Sequence, residues 1–221
     1  MDGVTAIIIA AGEGRRFGLA KQFALLKGKT VLDWCLERFE RHDAVDDIIL
    51  VLGEEHPSQD YPRRYKKVAS VARGGDRRQD SVYSGLCCVD DLKTPIVLVH
   101  DGVRPLVGED LIGRVIERAS EKGAVVPVIP LEDTIKRVEG DRVIRTEDRR
   151  LLFRSQTPQG FSCSLLKKAF IRAREEGFYG TDEASLVERM GREVFVIQGD
   201  PKNIKITTQD DLSVAEALIE D

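Results

Sequence analysis

The sequence predicts an α/β fold in which a mostly parallel β-sheet carries helices on both faces. Two observations indicate it: apolar, β-branched runs recur along the chain, and segments with helical apolar spacing alternate with them. Strands that are apolar throughout have both faces covered, which is typical of parallel sheets. The predicted strands are Val4 to Ala10, Ile48 to Leu52, Val68 to Ala72, Pro95 to His100, Ala124 to Ile129 and Val194 to Gln198.

Two of the intervening segments show the helical pattern most clearly. One follows a possible N-cap at Thr30, and the other follows the acidic pair Glu109-Asp110. Their apolar positions are Val31, Leu32, Leu36 and Phe39 in the first, and Leu111, Ile112, Val115, Ile116 and Ala119 in the second. No repeat or low-complexity linker divides the 221 residues, so we expect residues 1–221 to form a single domain.

One charged segment interrupts this alternation of strands and helices. From Glu132 to Arg150 two alternating strands flank Glu139-Gly140-Asp141, which predicts a β-hairpin. A two-stranded ribbon is only marginally stable alone, so we expect an arm over about 132–156 that packs on a second copy of the chain in a homodimer. The alternative is a solvated hairpin at the rim of the sheet.

The composition excludes several classes of protein. Lys and Arg number 34 against 38 Asp and Glu, so a net charge of −4 argues against nucleic acid as a partner. The longest apolar stretches fall well short of the ~20 residues of a membrane span. The N-terminus lacks a secretory or transit pattern, and four cysteines without CxxC spacing predict reduced, mostly buried thiols. We therefore expect a cytoplasmic protein without a membrane partner.

A glycine-rich turn follows the first predicted strand. Its glycines, Gly12, Gly14 and Gly18, let backbone N–H groups approach an anion, and Arg16 and Lys21 add positive charge. The spacing is not that of the dinucleotide motif, and the Gly-Lys-Thr further on lacks the first glycine of a P-loop. Taken alone, the segment is also consistent with a simple strand-to-helix turn with exposed basic residues.

Two further polar turns follow later strands. The first, Gly74 to Ser81, is again glycine-rich, and the second, His100 to Pro105, contains Asp101 and Arg104. Ligands of open α/β sheets bind at this carboxyl edge of the strands. A carboxylate there suits a divalent cation and a guanidinium suits a phosphate, whereas for His100 we favour a strand-end hydrogen bond.

Two segments near the C-terminus add polar groups. Gly180 to Ser185 predicts the capped start of a helix, and Asn203 to Thr207 alternates as a strand would, with Lys205 opposite its two isoleucines. The whole set fits a highly charged phosphate substrate with Mg²⁺. It offers neither a Cys/His nor a Ser/His pair for covalent catalysis.

These motifs occur in an order that resembles a known family. They are Ala-Ala-Gly-x-Gly-x-Arg with Lys21-Gln22, Gly-Gly-Asp-x-Arg-x-Asp-Ser, His-Asp-x-x-Arg-Pro, Thr157-Pro158-Gln159, Thr-Asp-Glu-Ala-Ser and Asn-Ile-Lys-Ile-Thr. The chain resembles the 2-C-methyl-D-erythritol 4-phosphate cytidylyltransferases of non-mevalonate isoprenoid synthesis over almost its whole length. The resemblance implies a Rossmann-like sheet with a protruding arm. Ala20 stands where the family usually has proline, and the loop before Lys21 is shortened.

The resemblance also implies roles for individual residues. Nucleotide-binding residues would be Ala10, Ala11, Gly12, Gly14, Gly75, Asp76 and Ser81. Catalytic residues on the triphosphate would be Arg16, Lys21 and Lys205. Residues around methylerythritol phosphate would be Asp101, Arg104, Thr134, Arg149 and Thr181, with Thr134 and Arg149 reaching across from the partner's arm. Mg²⁺ would bridge the phosphates near Asp101.

The implied reaction is attack of a phosphate monoester oxygen on the α-phosphorus of CTP, with pyrophosphate as leaving group. Two alternatives remain open at this point. One is a cytidylyltransferase for another polyol phosphate, such as ribitol 5-phosphate, and the other is a non-enzymatic nucleotide-binding regulator. The Thr-Asp-Glu-Ala-Ser motif favours methylerythritol phosphate, and the intact basic set argues against a regulator.

Overall fold

The computed structural model describes residues 3–12, 20–54, 60–90 and 93–219. In these residues strands and helices alternate along most of the chain, as the sequence predicts. The strands are β1 (Val4–Ala10), β2 (Leu25–Leu26), β3 (Lys29–Thr30), β4 (Asp47–Leu52), β5 (Val68–Arg73), β6 (Ile96–Asp101), β7 (Ala124–Pro130), β8 (Lys136–Glu139), β9 (Arg142–Thr146), β10 (Phe153–Ser155), β11 (Gln159–Ser162) and β12 (Phe195–Gln198).

The helices separate these strands and cover the sheet. They are α1 (Val31–Arg41), α2 (Tyr61–Arg64), α3 (Arg78–Leu86), α4 (Glu109–Lys122), α5 (Cys163–Glu175), α6 (Glu183–Arg189) and α7 (Gln209–Leu218). The hydroxyl of Thr30 accepts a hydrogen bond from Asp33 N and so caps α1, as predicted. Among the residues described, none of the helices is long and apolar enough to span a membrane.

The main sheet has eight strands, with neighbours in the order β10, β7, β11, β6, β1, β4, β5 and with β12 paired to β7. Strands β6, β1, β4 and β5 run parallel, and β10 and β11 are antiparallel to their neighbours. From β1 the chain proceeds outward through β4 and β5, then returns to place β6 on the other side of β1. The order therefore reverses between β1 and β6, where open α/β sheets bind ligands.

Alternate residues of the central strand face two apolar layers. Ala6 and Ile8 of β1 lie in a core with α1 and α4, whereas Ile7 and Ile9 lie in a core with α3, α5 and α6. All four are at most 9% exposed. Burial on both faces explains why the run is continuously hydrophobic rather than alternating.

A third, smaller core joins the two ends of the chain. Leu26 of β2 and Val31, the first residue of α1, pack with Ile206 and with Ala215 of α7. Thr208 caps α7 by accepting from Asp211 N. This core supports the segment that carries Lys205.

Two predictions of local structure are wrong. The segment 203–207 is not a strand: Ile206 N donates to Val103 O at 2.9 Å, but no neighbouring strand supplies a ladder of such bonds in the described residues. The alternation was real, since Ile206 is buried and Lys205 is not. The cysteines are also not mostly buried, because Cys87 and Cys88 are exposed at the end of α3.

The predicted hairpin is present as β8 and β9, a separate two-stranded sheet whose residues are all exposed. Gly140 turns it with a φ of +59°. At the C-terminal end of the predicted arm, Phe153–Ser155 forms β10 and pairs with β7 in the main sheet. The arm therefore leaves the sheet after Pro130 and returns at Phe153.

Two helical glycines provide a matched test of how closely α3 packs on the sheet. A Cβ at Gly85 would lie 2.6 Å from Ile7 Cγ2 and 2.9 Å from Val51 Cγ2, whereas one at Gly113 in α4 would meet only His42 Nε2 at 3.5 Å. We expect Gly85→Ala to lower the free energy of unfolding by about 1–3 kcal/mol through overpacking. Gly113→Ala should raise it by about 0.5–1 kcal/mol. Urea unfolding measures both, and equal responses would contradict this packing.

Candidate active site

Three loops meet at the carboxyl edge of the sheet, where the strand order reverses. Gly74, after β5, packs so closely on Ala11, after β1, that a Cβ on the glycine would overlap the alanine side chain. Gly74 N donates to Leu52 O at 2.7 Å, and Gly102 N, after β6, donates to Ile9 O at 2.8 Å. The predicted glycine turns are thus brought together as the sequence suggested.

The second glycine turn is held by the serine of its own motif. Ser81 is buried, and its hydroxyl accepts from Gly75 N and donates to Arg77 O, both at 3.1 Å. Asp80 accepts from Arg77 N at 3.2 Å and completes the start of α3. Gly75 and Asp76 are exposed above this brace. The turn is therefore fixed from below and presents its backbone and the Asp76 carboxylate outward.

Asp101, the last residue of β6, is the centre of a cluster of charges. Its Oδ1 accepts from Arg78 Nε and its Oδ2 lies next to Lys205 Nζ, each at 2.9 Å, with Arg104 Nε at 3.7 Å. Arg78 Nη1 also donates to Glu183 Oε1 at 2.7 Å. Asp101 and Glu183 are 6% and 1% exposed. Three cations and two carboxylates leave one net positive charge.

The charges of this cluster determine its protonation. Burial alone would raise the pKa of Asp101, but Arg78, Lys205 and Arg104 outweigh it and hold that pKa well below its usual range. Burial raises the pKa of Glu183, although Arg78 opposes the shift. Asp101 is therefore ionised at neutral pH, where it pairs with these cations and cannot donate a proton as a general acid.

The same arrangement does not fit the predicted magnesium site. Both oxygens of Asp101 already face cations, and a divalent ion would meet three positive charges there. No group of three or more His, Cys, Asp or Glu side chains able to hold a metal occurs within 3–12, 20–54, 60–90 and 93–219. We therefore no longer assign Asp101 as a metal ligand.

The buried segment 156–159, which connects β10 to β11, holds Asp101 through polar side chains; we call it the connector. Thr157 Oγ1 accepts from Asp101 N and hydrogen-bonds His100 Nδ1, both at 3.1 Å, while His100 Nε2 lies 3.3 Å from Arg104 O. Because a carbonyl only accepts, Nε2 carries the proton and the threonine hydroxyl donates to Nδ1. Asn203 Nδ2 donates to Thr157 O at 2.8 Å. The predicted strand-end hydrogen bond of His100 is confirmed.

Thr181 lies exposed on a turn that is anchored on both sides. Gly180 N donates to Gln79 Oε1 at 2.9 Å, and Asp182 Oδ2 accepts from Gln159 Nε2 at 2.7 Å. Asp182 also caps α6, which confirms the predicted helix start. The turn lies beside the Asp101 cluster, since Glu183 belongs to both.

Lys21 begins a short 3₁₀ turn, Lys21–Phe23, shortly after the first glycine turn. The next residue, Gln22, is 1% exposed and donates from Nε2 to Ala10 O at 2.8 Å and to Gly12 O at 3.0 Å. The turn that carries Lys21 is thereby fastened to the end of β1. Gly14 and Arg16 of the predicted set lie outside the described residues.

Thr134 and Arg149 lie on the arm, and both are exposed. Arg149 Nη1 donates to Glu132 O, within the arm. In the described residues of this single chain, neither side chain shares a hydrogen bond with the Asp101 cluster. The structure therefore brings together the predicted residues of the sheet edge but not these two.

Three residues at the site were not predicted to act there. Arg78 and Glu183 form the second half of the Asp101 cluster, and Gln22 holds the first turn. All three stand inside motifs that carry the family resemblance, which was the only signal for them in the sequence. Pairing between residues 105 positions apart, as in Arg78 and Glu183, cannot be read from spacing alone.

Buried polar atoms without partners also mark the site. Five side-chain atoms among the described residues are buried and form no hydrogen bond, and three of them lie at this edge: Arg104 Nε, Glu183 Oε2 and Asn203 Oδ1. The other two, in Arg38 and Ser70, lie elsewhere. Such atoms are rare in folded proteins unless water or a ligand satisfies them. Their concentration at one edge indicates a site built for a polar ligand.

Glycine turns and basic side chains where the strand order of a parallel sheet reverses are typical of proteins that bind a nucleotide phosphate. The match to a family model identifies the class as nucleotidyltransferase. The family model of 2-C-methyl-D-erythritol 4-phosphate cytidylyltransferase, IspD, matches residues 4–221. The chain belongs to the IspD family.

Individual relatives agree with this assignment. The chain is 45% identical over 221 residues to the 2-C-methyl-D-erythritol 4-phosphate cytidylyltransferase of Bacillus velezensis, covering 96% of this chain and 94% of the relative. Its structure is similar to that of the Thermus thermophilus enzyme, with a TM-score of 0.84, 35% identity and 98% of each chain covered. For the Francisella tularensis enzyme the TM-score is 0.85 at 32% identity, with 98% of this chain and 100% of that chain covered.

The buried imidazole makes a prediction about acid stability. Burial lowers the pKa of His100 to about 3, so between about pH 6.5 and 3 the unfolded state binds a proton that the folded state does not, and stability falls as the pH falls. From pH 7 to pH 5 this contributes a loss of about 2 kcal/mol.

Urea unfolding at pH 7, 6 and 5 would measure it. His100→Gln should lose that part of the pH dependence, whatever its stability at pH 7. His42→Gln keeps His100 and is the control. A His100→Gln protein with the wild-type slope would contradict a neutral, buried His100.

Proposed function

We propose that the edge formed by the β1, β5 and β6 loops and by segment 203–207 binds both substrates of the family's reaction. That reaction transfers the cytidylyl group of CTP to 2-C-methyl-D-erythritol 4-phosphate and releases pyrophosphate. The observation that carries the proposal is the pairing of Lys205 with Asp101 beside Arg104, because two cations suited to bind phosphate then lie where the strand order reverses. Residues 1–221 would act as one domain.

The two glycine turns would hold the nucleoside. Small residues let backbone donors and acceptors reach the edge of a base, and a base with the wrong edge leaves buried groups unpaired. The close packing of Gly74 on Ala11 supports this, since it brings the two turns into contact. The residues that would take part are Ala10, Ala11, Gly12, Gly14, Gly75, Asp76 and Ser81, the last through its brace on Gly75.

The basic residues would supply the catalysis. A phosphate monoester has a second pKa of about 6 and is largely a dianion at neutral pH, so its oxygen needs no general base to attack the α-phosphorus. Rate enhancement would come from orientation and from neutralising charge on the pentacoordinate phosphorus. We assign that role to Arg16, Lys21 and Lys205.

The polyol phosphate would bind at the Asp101 cluster, whereas the nucleoside would bind at the glycine turns. Asp101, Arg104 and Thr181 would contact it from one chain. The cluster's net positive charge supports this, because an incoming phosphate would balance it. We assign no protein ligand to Mg²⁺ and propose that this ion is held by the oxygens of CTP itself.

A second copy of the chain would complete the site. The arm leaves apolar side chains exposed, including Val138 and Val143, which pair across its strands at 53% and 55% exposure. Leu151 and Phe153, near the C-terminal end of the arm, are also exposed, at 79% and 52%. Exposed apolar patches of this kind favour a protein interface. We propose a cytoplasmic homodimer in which Thr134 and Arg149 reach the partner's polyol phosphate.

Pyrophosphate release tests the reaction. We expect turnover with CTP and methylerythritol phosphate. Turnover should be low when UTP replaces CTP, and low when ribitol 5-phosphate replaces methylerythritol phosphate. Comparable kcat/KM for CTP and UTP would contradict nucleoside selection by the turns. Faster turnover with ribitol 5-phosphate would replace the proposed acceptor.

Mixing two inactive variants tests the shared site. Arg149→Ala would damage only the partner's site and Lys21→Ala only its own, so a mixed dimer has one site with both lesions and one intact. After subunit exchange of equal amounts, half of the dimers are mixed, and activity should approach one quarter of wild type.

The control is each variant incubated alone under the same conditions. If Arg149 served its own chain, both sites of every mixed dimer would carry a lesion. Activity that stays at the level of the separate variants, with mixed dimers shown to be present, would rule out the shared site.

A further inference from the structure

Two backbone carbonyl groups at the start of the first glycine turn are held by one buried side chain. Ala10 O and Gly12 O both accept from the single amide of Gln22, at 2.8 and 3.0 Å. A carbonyl oxygen carries partial negative charge and repels phosphate, whereas a backbone N–H attracts it. A turn that binds a nucleotide therefore benefits when its carbonyls are occupied elsewhere.

Gln22 is well placed to occupy these two carbonyls. Its burial leaves it no contact of its own with substrate. Its side chain is 1% exposed and lies between the end of β1 and the 3₁₀ turn Lys21–Phe23. An amide nitrogen has two N–H groups, so one side chain satisfies both carbonyls. The same residue follows Lys21 directly, so its anchoring also fixes where Lys21 begins.

We propose that Gln22 is a positioning residue for CTP, which holds the Ala10–Gly12 turn in its binding conformation and sets Lys21 relative to it. The inference rests on the proposed role of this turn in binding CTP. It predicts that damage to Gln22 weakens use of CTP and leaves use of the polyol phosphate largely unchanged. Loss of a residue with only a structural role would change the KM values for both substrates alike.

The test is steady-state kinetics of Gln22→Glu and Gln22→Met, each compared with wild type at the same pH. Ionised glutamate would place a carboxylate against two carbonyls, whereas the protonated form can still donate one hydrogen bond. We expect KM for CTP of Gln22→Glu to be at least five-fold above wild type at pH 8 and to approach wild type at pH 6. Gln22→Met should raise that KM by a factor that does not depend on pH.

KM for methylerythritol phosphate should stay within two-fold of wild type in both variants. Gln209→Glu is the matched control, since it makes the same change at the exposed start of α7 and should alter neither constant. The thermal shift produced by CTP provides a second readout, which should shrink in both variants.

Several outcomes would overturn the proposal. Unchanged KM for CTP, or equal changes in both KM values, would assign Gln22 to general structure, as would failure of both variants to fold. If wild type itself does not turn over CTP with methylerythritol phosphate, the proposed function fails instead. Because that control is read first, the two failures are distinguishable.

Discussion

The ion pairs of Asp101 are the constraint on which the site depends. One buried carboxylate at the end of β6 holds cations from α3, from the loop after β6 and from segment 203–207. Removing one partner of such a buried pair typically costs about 3–5 kcal/mol, because the other charges are left uncompensated. The three segments are therefore coupled through one carboxylate, because loss of any partner leaves charges uncompensated.

Polar side chains of the connector, residues 156–159, fix the geometry around the Asp101 cluster. Gln156 donates to Asp200 O at 2.8 Å, Thr157 holds His100 and Asp101, and Gln159 holds Asp182. Ion pairs attract from any direction, whereas hydrogen bonds to fixed backbone groups select one geometry. The connector thus converts an electrostatic cluster into a defined arrangement of loops.

Much of this architecture follows from the sequence, and the remainder has a physical reason for being hidden. Strands such as Val4–Ala10 are legible because burial on both faces demands an apolar residue at every position. The strand prediction for segment 203–207 was wrong because alternating apolar residues show only that one side of a segment is buried. A single extended segment packed on a small core has the same pattern. The pairing of Arg78 with Glu183 and the bonds of Gln22 depend on tertiary proximity, for which periodicity carries no signal.

The contact between the two ends of the chain determines when the site can form. Lys27 Nζ donates to Ile219 O across 192 residues, and Ile206 and Ala215 share a core with Leu26. During synthesis β1, β4, β5 and β6 emerge from the ribosome before residues 203–219 do. Lys205 gains its support only afterwards, so the strands can pair before the Asp101 cluster is complete.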